Sequence, residues 1–186
     1  MENIAVIDVE TTWGDEVMSI GIVIANNVTL KPIASRYYLI NPEFKKPAMY
    51  SNALMINKIR EQFIGSRREV MSDINKLLLI YNVKKLFAYN AHFDKRHLPE
   101  LKRCTWCDIM RIAAYKQYNK KITDNHDCCS TGRLRSGYGV AQILKMLSDN
   151  NNYEETHNAY YDAIDELEIM RLLAYNIDRY DVAVIN

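Results

Sequence analysis

Ile4-Ala5-Val6-Ile7-Asp8-Val9-Glu10-Thr11-Thr12 begins as an unbroken apolar run and then admits two carboxylates one residue apart. A short run of this kind, rich in β-branched residues, reads as a buried strand. Alternation along a strand places Asp8 and Glu10 on the same face, close enough to share a metal ion. Carboxylates left without a counter-charge in such a setting are costly, and a divalent cation would offset that cost. An acid at a strand end is also a common turn or helix cap, so one such position decides nothing alone.

Working outward, Val17 to Ile24 forms a second β-branched run, and Asn26-Asn27 marks a turn before a third strand through Tyr37, Tyr38, Leu39 and Ile40. Three sequential strands with short links predict an antiparallel meander. Asn41-Pro42 and Pro47 then break the chain. Between Asn52 and Tyr81 the apolar positions, notably Val70, Ile74, Leu77 and Leu78, recur at helical spacing. Further on, the pattern predicts a strand at 84–89, a helix at 91–102 in spite of Pro99, a strand at 105–108 and a helix from 109 to about 118. Residues 119–138 are polar and without period, which predicts a loop. Two more helices follow, one marked by Val140, Ile143, Leu144 and Leu147. The other runs from about Asn158 to Tyr175 with Ile164, Leu167, Met170 and Leu173 on one face. This order of elements, undivided by any repeat or linker, predicts one α/β domain over 1–186 with a mixed sheet.

The composition is that of an ordinary globular protein: 186 residues, 48% hydrophobic and 25% charged, with 24 basic against 23 acidic residues. The near-neutral total hides a segregation. Residues 31–135 hold 21 basic and 9 acidic side chains, and the two flanks together hold 3 basic and 14 acidic. A basic middle between acidic ends suggests a polyanion surface beside a carboxylate cluster. No apolar stretch approaches the ~18 residues of a membrane span, and a basic, apolar signal segment is lacking. The expectation is a soluble cytoplasmic protein. Cys104 and Cys107 form a C-x-x-C, with His126, Cys128 and Cys129 about twenty residues on. The adjacent Cys-Cys pair lacks the usual two-residue gap of a zinc site, which favours free thiols without deciding the question.

Two further acids interrupt apolar segments. Asp94 closes Tyr89-Asn90-Ala91-His92-Phe93-Asp94, and Asp162 lies one turn into the last helix. Four carboxylates so placed offer the hard oxygen ligands that suit Mg²⁺ or Mn²⁺, and two such ions can clamp a phosphodiester.

Asp8-x-Glu10-Thr11-Thr12, then Tyr89-Asn90-Ala91-His92-Phe93-Asp94, then His157-x-x-x-x-Asp162-Ala163 resembles the three motifs of the DEDDh family of 3′–5′ exonucleases. That family includes the proofreading epsilon subunit of bacterial DNA polymerase, ribonuclease T and oligoribonuclease. The motifs run in the family's order from residue 6 to residue 163. The resemblance implies a ribonuclease H-like fold, a mixed five-stranded sheet flanked by helices. It implies two Mg²⁺ or Mn²⁺ ions held by Asp8, Glu10, Asp94 and Asp162, with His157 as general base and Glu10 also approaching the 3′-terminal sugar. The sister group carries a Tyr four residues before the last Asp, where this chain has Asn158. If Asn158 caps the last helix, His157 lies just outside it and can swing over the site; inside one helix the two side chains would point about 140° apart.

Resemblance further implies that Thr11 and Thr12 seat the terminal nucleotide and that Asn90 supports the site. Trp13 departs from the family pattern, in which a Gly tends to follow the two Thr residues; it either stacks on a base or packs on the domain. Phe93 is expected in the core and His92 in solvent. In the 119–138 loop, Lys120, Lys121, Arg133 and Arg135 lie near Tyr118 and Tyr138, which fits either a strand-binding edge or a solvated loop. The implied substrate is a single-stranded 3′ end of DNA or RNA, released as nucleoside monophosphates, with a polymerase or a second copy as candidate partner. The rival is a non-catalytic nucleic-acid-binding or polymerase-partner module on the same fold.

Overall fold

In the computed structural model residues 2–55, 59 and 61–185 are described. The opening run forms β1 (Asn3–Thr11), followed by β2 (Val17–Asn26) and β3 (Pro32–Ile40). β1 pairs with β2 and β2 with β3, both antiparallel, which is the expected meander. The 52–81 pattern divides. Gln62–Gly65 is a short strand, β4, lying parallel to β3, and α1 (Arg67–Ile80) begins only after it. The boundary is a capping box: the Ser66 side chain accepts from the Glu69 amide, and the Ser66 amide donates to Glu69 Oε2 at 2.8 Å. Caps of this kind stabilise a helix start by about 1 kcal/mol. Positions 56–58 and 60 of that expectation lie outside the described residues.

β5 (Val83–Ala88) runs parallel to β1, and α2 (His92–His97) follows. The helix expected to reach 102 stops at His97, because Pro99 has no amide to donate and opens a separate turn of 3₁₀-helix. β6 (Thr105–Asp108) pairs parallel with β5. The helix expected to run to 118 is only α3 (Met110–Ala113). Beyond it Tyr115 pairs with Arg133, and the Leu134 amide donates to Ala114 O at 3.0 Å, so the backbone is taken by the following loop. α4 (Val140–Ser148) and α5 (Ala159–Leu173) come as expected, and β7 (Val184–Ile185) closes the edge beside β6. The mixed sheet thus extends to seven strands, in the order β4-β3-β2-β1-β5-β6-β7, by two short edge strands too brief to show a period.

Side-chain alternation along β1 divides the core. Ala5, Ile7 and Val9 pack with Val70, Ile74, Leu77 and Trp106 on the α1 face, whereas Ile4 and Val6 pack with Ile143, Leu167 and Met170 on the α4 and α5 face. Asp8 and Glu10 continue the Ile4–Val6 row and so emerge beneath α5. No helix among the described residues is long and apolar enough to cross a membrane.

Candidate active site

Two elements that sheet pairing and helix packing force together build the site. Asp8 and Glu10 stand at the end of β1, partly buried, and Asp162 is buried in the first turns of α5. One carboxylate oxygen from each of Asp8, Glu10 and Asp162 lies within 4.8 Å of the others. α5 can come this close because Asp8 is opposite Gly21 in the β1–β2 register, and a Cβ at Gly21 would lie 1.9 Å from Ala159 O. A glycine here is a steric requirement.

Asp94 takes a different place. It is buried, its Oδ1 accepts from the Val9 amide at 3.2 Å, and it lies outside the three-oxygen group but near enough for its charge to raise the Asp8 carboxyl. One acid missed in the sequence joins it: Glu166, 2% exposed, one turn beyond Asp162 on the same helix. The buried face of α5 comprises Ala159, Asp162, Ala163, Glu166, Leu167, Ile169 and Met170, with Ile164 only partly buried. An acid at i+4 from Asp162 among small and apolar residues was the available signal. Glu155, partly buried before the helix, is a second unforeseen neighbour.

Burial dominates the electrostatics, and the crowding of like charges adds to it. Burial, then the field of Glu166 and of the other acids, raises the Asp8 carboxyl well above the ordinary range. Burial and then Glu155 push Glu10 up to about 7 and, with Glu10 as a further neighbour, Asp162 up to about 8. Asp94 rises to about 8 for the same first reason, although the Val9 hydrogen bond pulls it down. Glu166 is raised by burial and then by Asp94. Asp8 Oδ2, Asp162 Oδ1 and Glu166 Oε2 are buried and have no hydrogen-bond partner. Converging, orphaned carboxylate oxygens fit a hard divalent cation such as Mg²⁺ or Mn²⁺.

His157 precedes the cap of α5, as expected from Asn158, whose Oδ1 accepts from the Tyr160 amide at 3.1 Å. Its backbone is left-handed (φ +54°), and its ring stacks on Tyr50, with centroids 4.0 Å apart and planes 12° from parallel. Nothing in the sequence around Tyr50 marks it. Among the expected substrate residues, Trp13 is 68% exposed, Thr11 is partly buried, and Thr12 is buried with its Oγ1 accepting from the Gly14 and Glu16 amides. Thr12 therefore shapes the turn that displays Trp13. Asn90 is exposed at φ +61°, its amide donating to the buried Asp108 at 3.0 Å. His92 is exposed, and Phe93 is partly buried against the α1-side core.

Cys107 is buried on one face of the sheet, while Cys104 packs on the other. Among the described residues neither they nor His126, Cys128 and Cys129 form a metal-type cluster, and the four thiols are free. In the loop after α3, Lys121 pairs with Asp149 and Arg135 with Asp127, Lys116 pairs with Asp124, and Arg133 lies over the Tyr138 ring. Much of that loop's positive charge faces a local partner.

No known family pattern matches the chain, and no curated protein matches it in sequence. Solved structures do match its fold. The nuclease domain of 3′hExo, a DEDDh family member bound to rAMP, is 14% identical with a TM-score of 0.65, over 100% of this chain and 96% of that chain. Exonuclease X in complex with 5′-overhanging duplex DNA is 17% identical, TM-score 0.57, over 97% of this chain and 99% of that chain. E. coli exonuclease I in complex with a dA16 oligonucleotide is 14% identical, TM-score 0.63, covering 98% of this chain but 43% of its own. This chain therefore spans less than half of exonuclease I. The fold is the ribonuclease H-like arrangement of the DEDDh exonucleases.

Proposed function

We propose that the chain is a divalent-metal-dependent 3′-to-5′ exonuclease that removes nucleoside monophosphates from single-stranded ends of DNA or RNA. The observation that carries this reading is the convergence of Asp8, Glu10 and Asp162, with orphaned oxygens, on a fold shared with exonucleases. A site that only bound nucleic acid would gain nothing from these acids, which repel a phosphate backbone unless a cation intervenes.

Asp8, Glu10, Asp94 and Asp162 would hold two Mg²⁺ or Mn²⁺ ions, Asp94 from outside the three converging oxygens. Bound there, the ions supply Lewis acidity toward the phosphate and lower the pKa of water. The residues of the chain do the rest. His157 accepts the proton of the attacking water. The water oxygen bonds to the terminal phosphorus, the bond from phosphorus to the penultimate 3′ oxygen breaks, and that oxygen takes a proton from solvent. The exposed Trp13 face, together with Thr11, Thr12 and Asn90, seats the terminal nucleotide.

Matched DNA and RNA oligonucleotides labelled at the 3′ or the 5′ end test the proposal, with Mg²⁺ or Mn²⁺ supplied. Early release of the 3′ label as a monophosphate, abolished by chelation and by Asp8→Ala, is the expected result. Release of the 5′ label first, or activity that survives Asp8→Ala, would overturn it.

A further inference from the structure

We infer that Tyr50 is a positioning residue for His157, held over the imidazole by a clamp centred on Asn158. The inference rests on the proposed role of His157 as proton acceptor. It stands geometrically on contacts that join the 48–54 turn to the start of α5.

A non-glycine residue in the left-handed region is uncommon and costs on the order of 1 kcal/mol, so its neighbours must hold it there. At His157 the neighbour on the helix side is Asn158, which is fully buried and uses both ends of its amide. Its oxygen caps α5, and its Nδ2 donates to Ala53 O at 2.6 Å and to the Tyr37 hydroxyl at 3.2 Å. The Tyr37 hydroxyl in turn donates to Leu54 O at 3.0 Å. Of two successive carbonyls of the turn, that of Ala53 is thus bound directly to the residue next to His157 and that of Leu54 through the Tyr37 hydroxyl.

The turn is also closed on itself. The Ala53 amide donates to Tyr50 O at 2.9 Å, and Ser51 Oγ accepts from the Ala48 amide at 2.8 Å. Tyr50 leaves this frame with its ring flat on His157. An imidazole at the end of a free side chain samples several rotamers, whereas proton acceptance needs a ring nitrogen within about 2.6–3.2 Å of the donor oxygen. The stacked phenyl face restricts the ring to one plane and leaves its edge, where both nitrogens lie, free for that contact.

The chain has 4 histidines, so their imidazole signals can be resolved and assigned by two-dimensional NMR on the full chain with Mg²⁺ present. Ring current from Tyr50 displaces the His157 ring protons upfield. Tyr50→Ala is expected to abolish that displacement and to lower kcat about ten- to a hundredfold with KM changed less than about threefold. Tyr50→Phe, which keeps the ring, is expected to restore both. Asn158→Asp keeps the cap acceptor but loses the two Nδ2 donations, and is expected to shift the His157 signal in the same direction as Tyr50→Ala. A His157 signal unmoved by Tyr50→Ala, or a Tyr50→Phe protein as impaired as Tyr50→Ala, overturns the inference. If the unmodified protein releases no nucleotide, the exonuclease reading fails while the NMR shifts still decide whether Tyr50 holds His157.

Discussion

The Val9 amide donates to Asp94 Oδ1 at 3.2 Å, joining residues 85 positions apart in sequence. Val9 lies between Asp8 and Glu10 on β1 with its side chain on the opposite face of the sheet, so one strand supplies acids to one side and an anchoring amide to the next acid. The carboxylates are therefore fixed relative to each other before any ligand arrives, as a preorganised site requires.

Asp8→Asn and Asp162→Asn should move activity and stability in opposite directions. Each removes a charge on an oxygen that has no partner inside the protein. Nuclease activity is expected to fall by more than about a hundredfold, while the melting temperature in chelator rises. Initial rates beside thermal melts of the same preparations check both halves.

Metal-free protein should lose stability as the pH rises from about 4 to about 8. Glu10 moves from 4.5 to about 7, and Asp94 and Asp162 from 3.8 to about 8. Between those limits the folded state binds more protons than the unfolded chain, so stability falls with increasing pH. Below about pH 4 both states are protonated and the effect vanishes. Addition of Mn²⁺ is expected to raise the melting temperature more at pH 8 than at pH 6, where protons compete for the same oxygens.

Glu166→Gln should stabilise the metal-free protein at pH 8. Burial and the nearby Asp94 oppose its charge, and its Oε2 has no partner. The neutral isostere removes that repulsion, and each kcal/mol relieved raises the melting temperature by roughly 2–4 °C in a domain of this size. A melting temperature that fell in chelator would contradict this account.

Gly21→Ala should destabilise the fold and impair the site together. The added methyl would meet Ala159 O at 1.9 Å, and backbone cannot move aside as a side chain can. The expected loss is at least about 1–3 kcal/mol in denaturant melts, with activity reduced even at temperatures where the variant is fully folded.

Trp13→Ala should leave stability within about 0.5 kcal/mol, since the side chain is 68% exposed. Binding of a single-stranded oligonucleotide is expected to weaken by about 1–3 kcal/mol, the usual contribution of one stacked base. Fluorescence anisotropy on the Asp8→Asn background measures binding without cleavage.

The central elements of the fold were legible because their apolar periods are long. β1, β2, α4 and α5 span nine or more residues each, and their patterns repeat enough to be read. β4 and β7 were not legible, having four and two residues and owing their strand geometry to the neighbours they pair with. At the site, Asp8, Glu10 and Asp162 followed from strand alternation and motif spacing, and Asn158 from the capping rule. Glu166 is not legible from the apolar stripe Ile164, Leu167, Met170 and Leu173: Leu167 and Met170 are buried, but the buried face turns toward Asp162 and Glu166 and leaves Ile164 and Leu173 only partly buried. Tyr50 was out of reach: its contact with His157 spans more than a hundred residues and depends on a turn without period.

β1 occupies the middle of the sheet, flanked by β2 on one side and β5 on the other. Its amides are therefore among the last to exchange with solvent deuterium, whereas the short edge strands β4 and β7 exchange sooner. Asp8 and Glu10 thus keep their register on the part of the sheet that opens last.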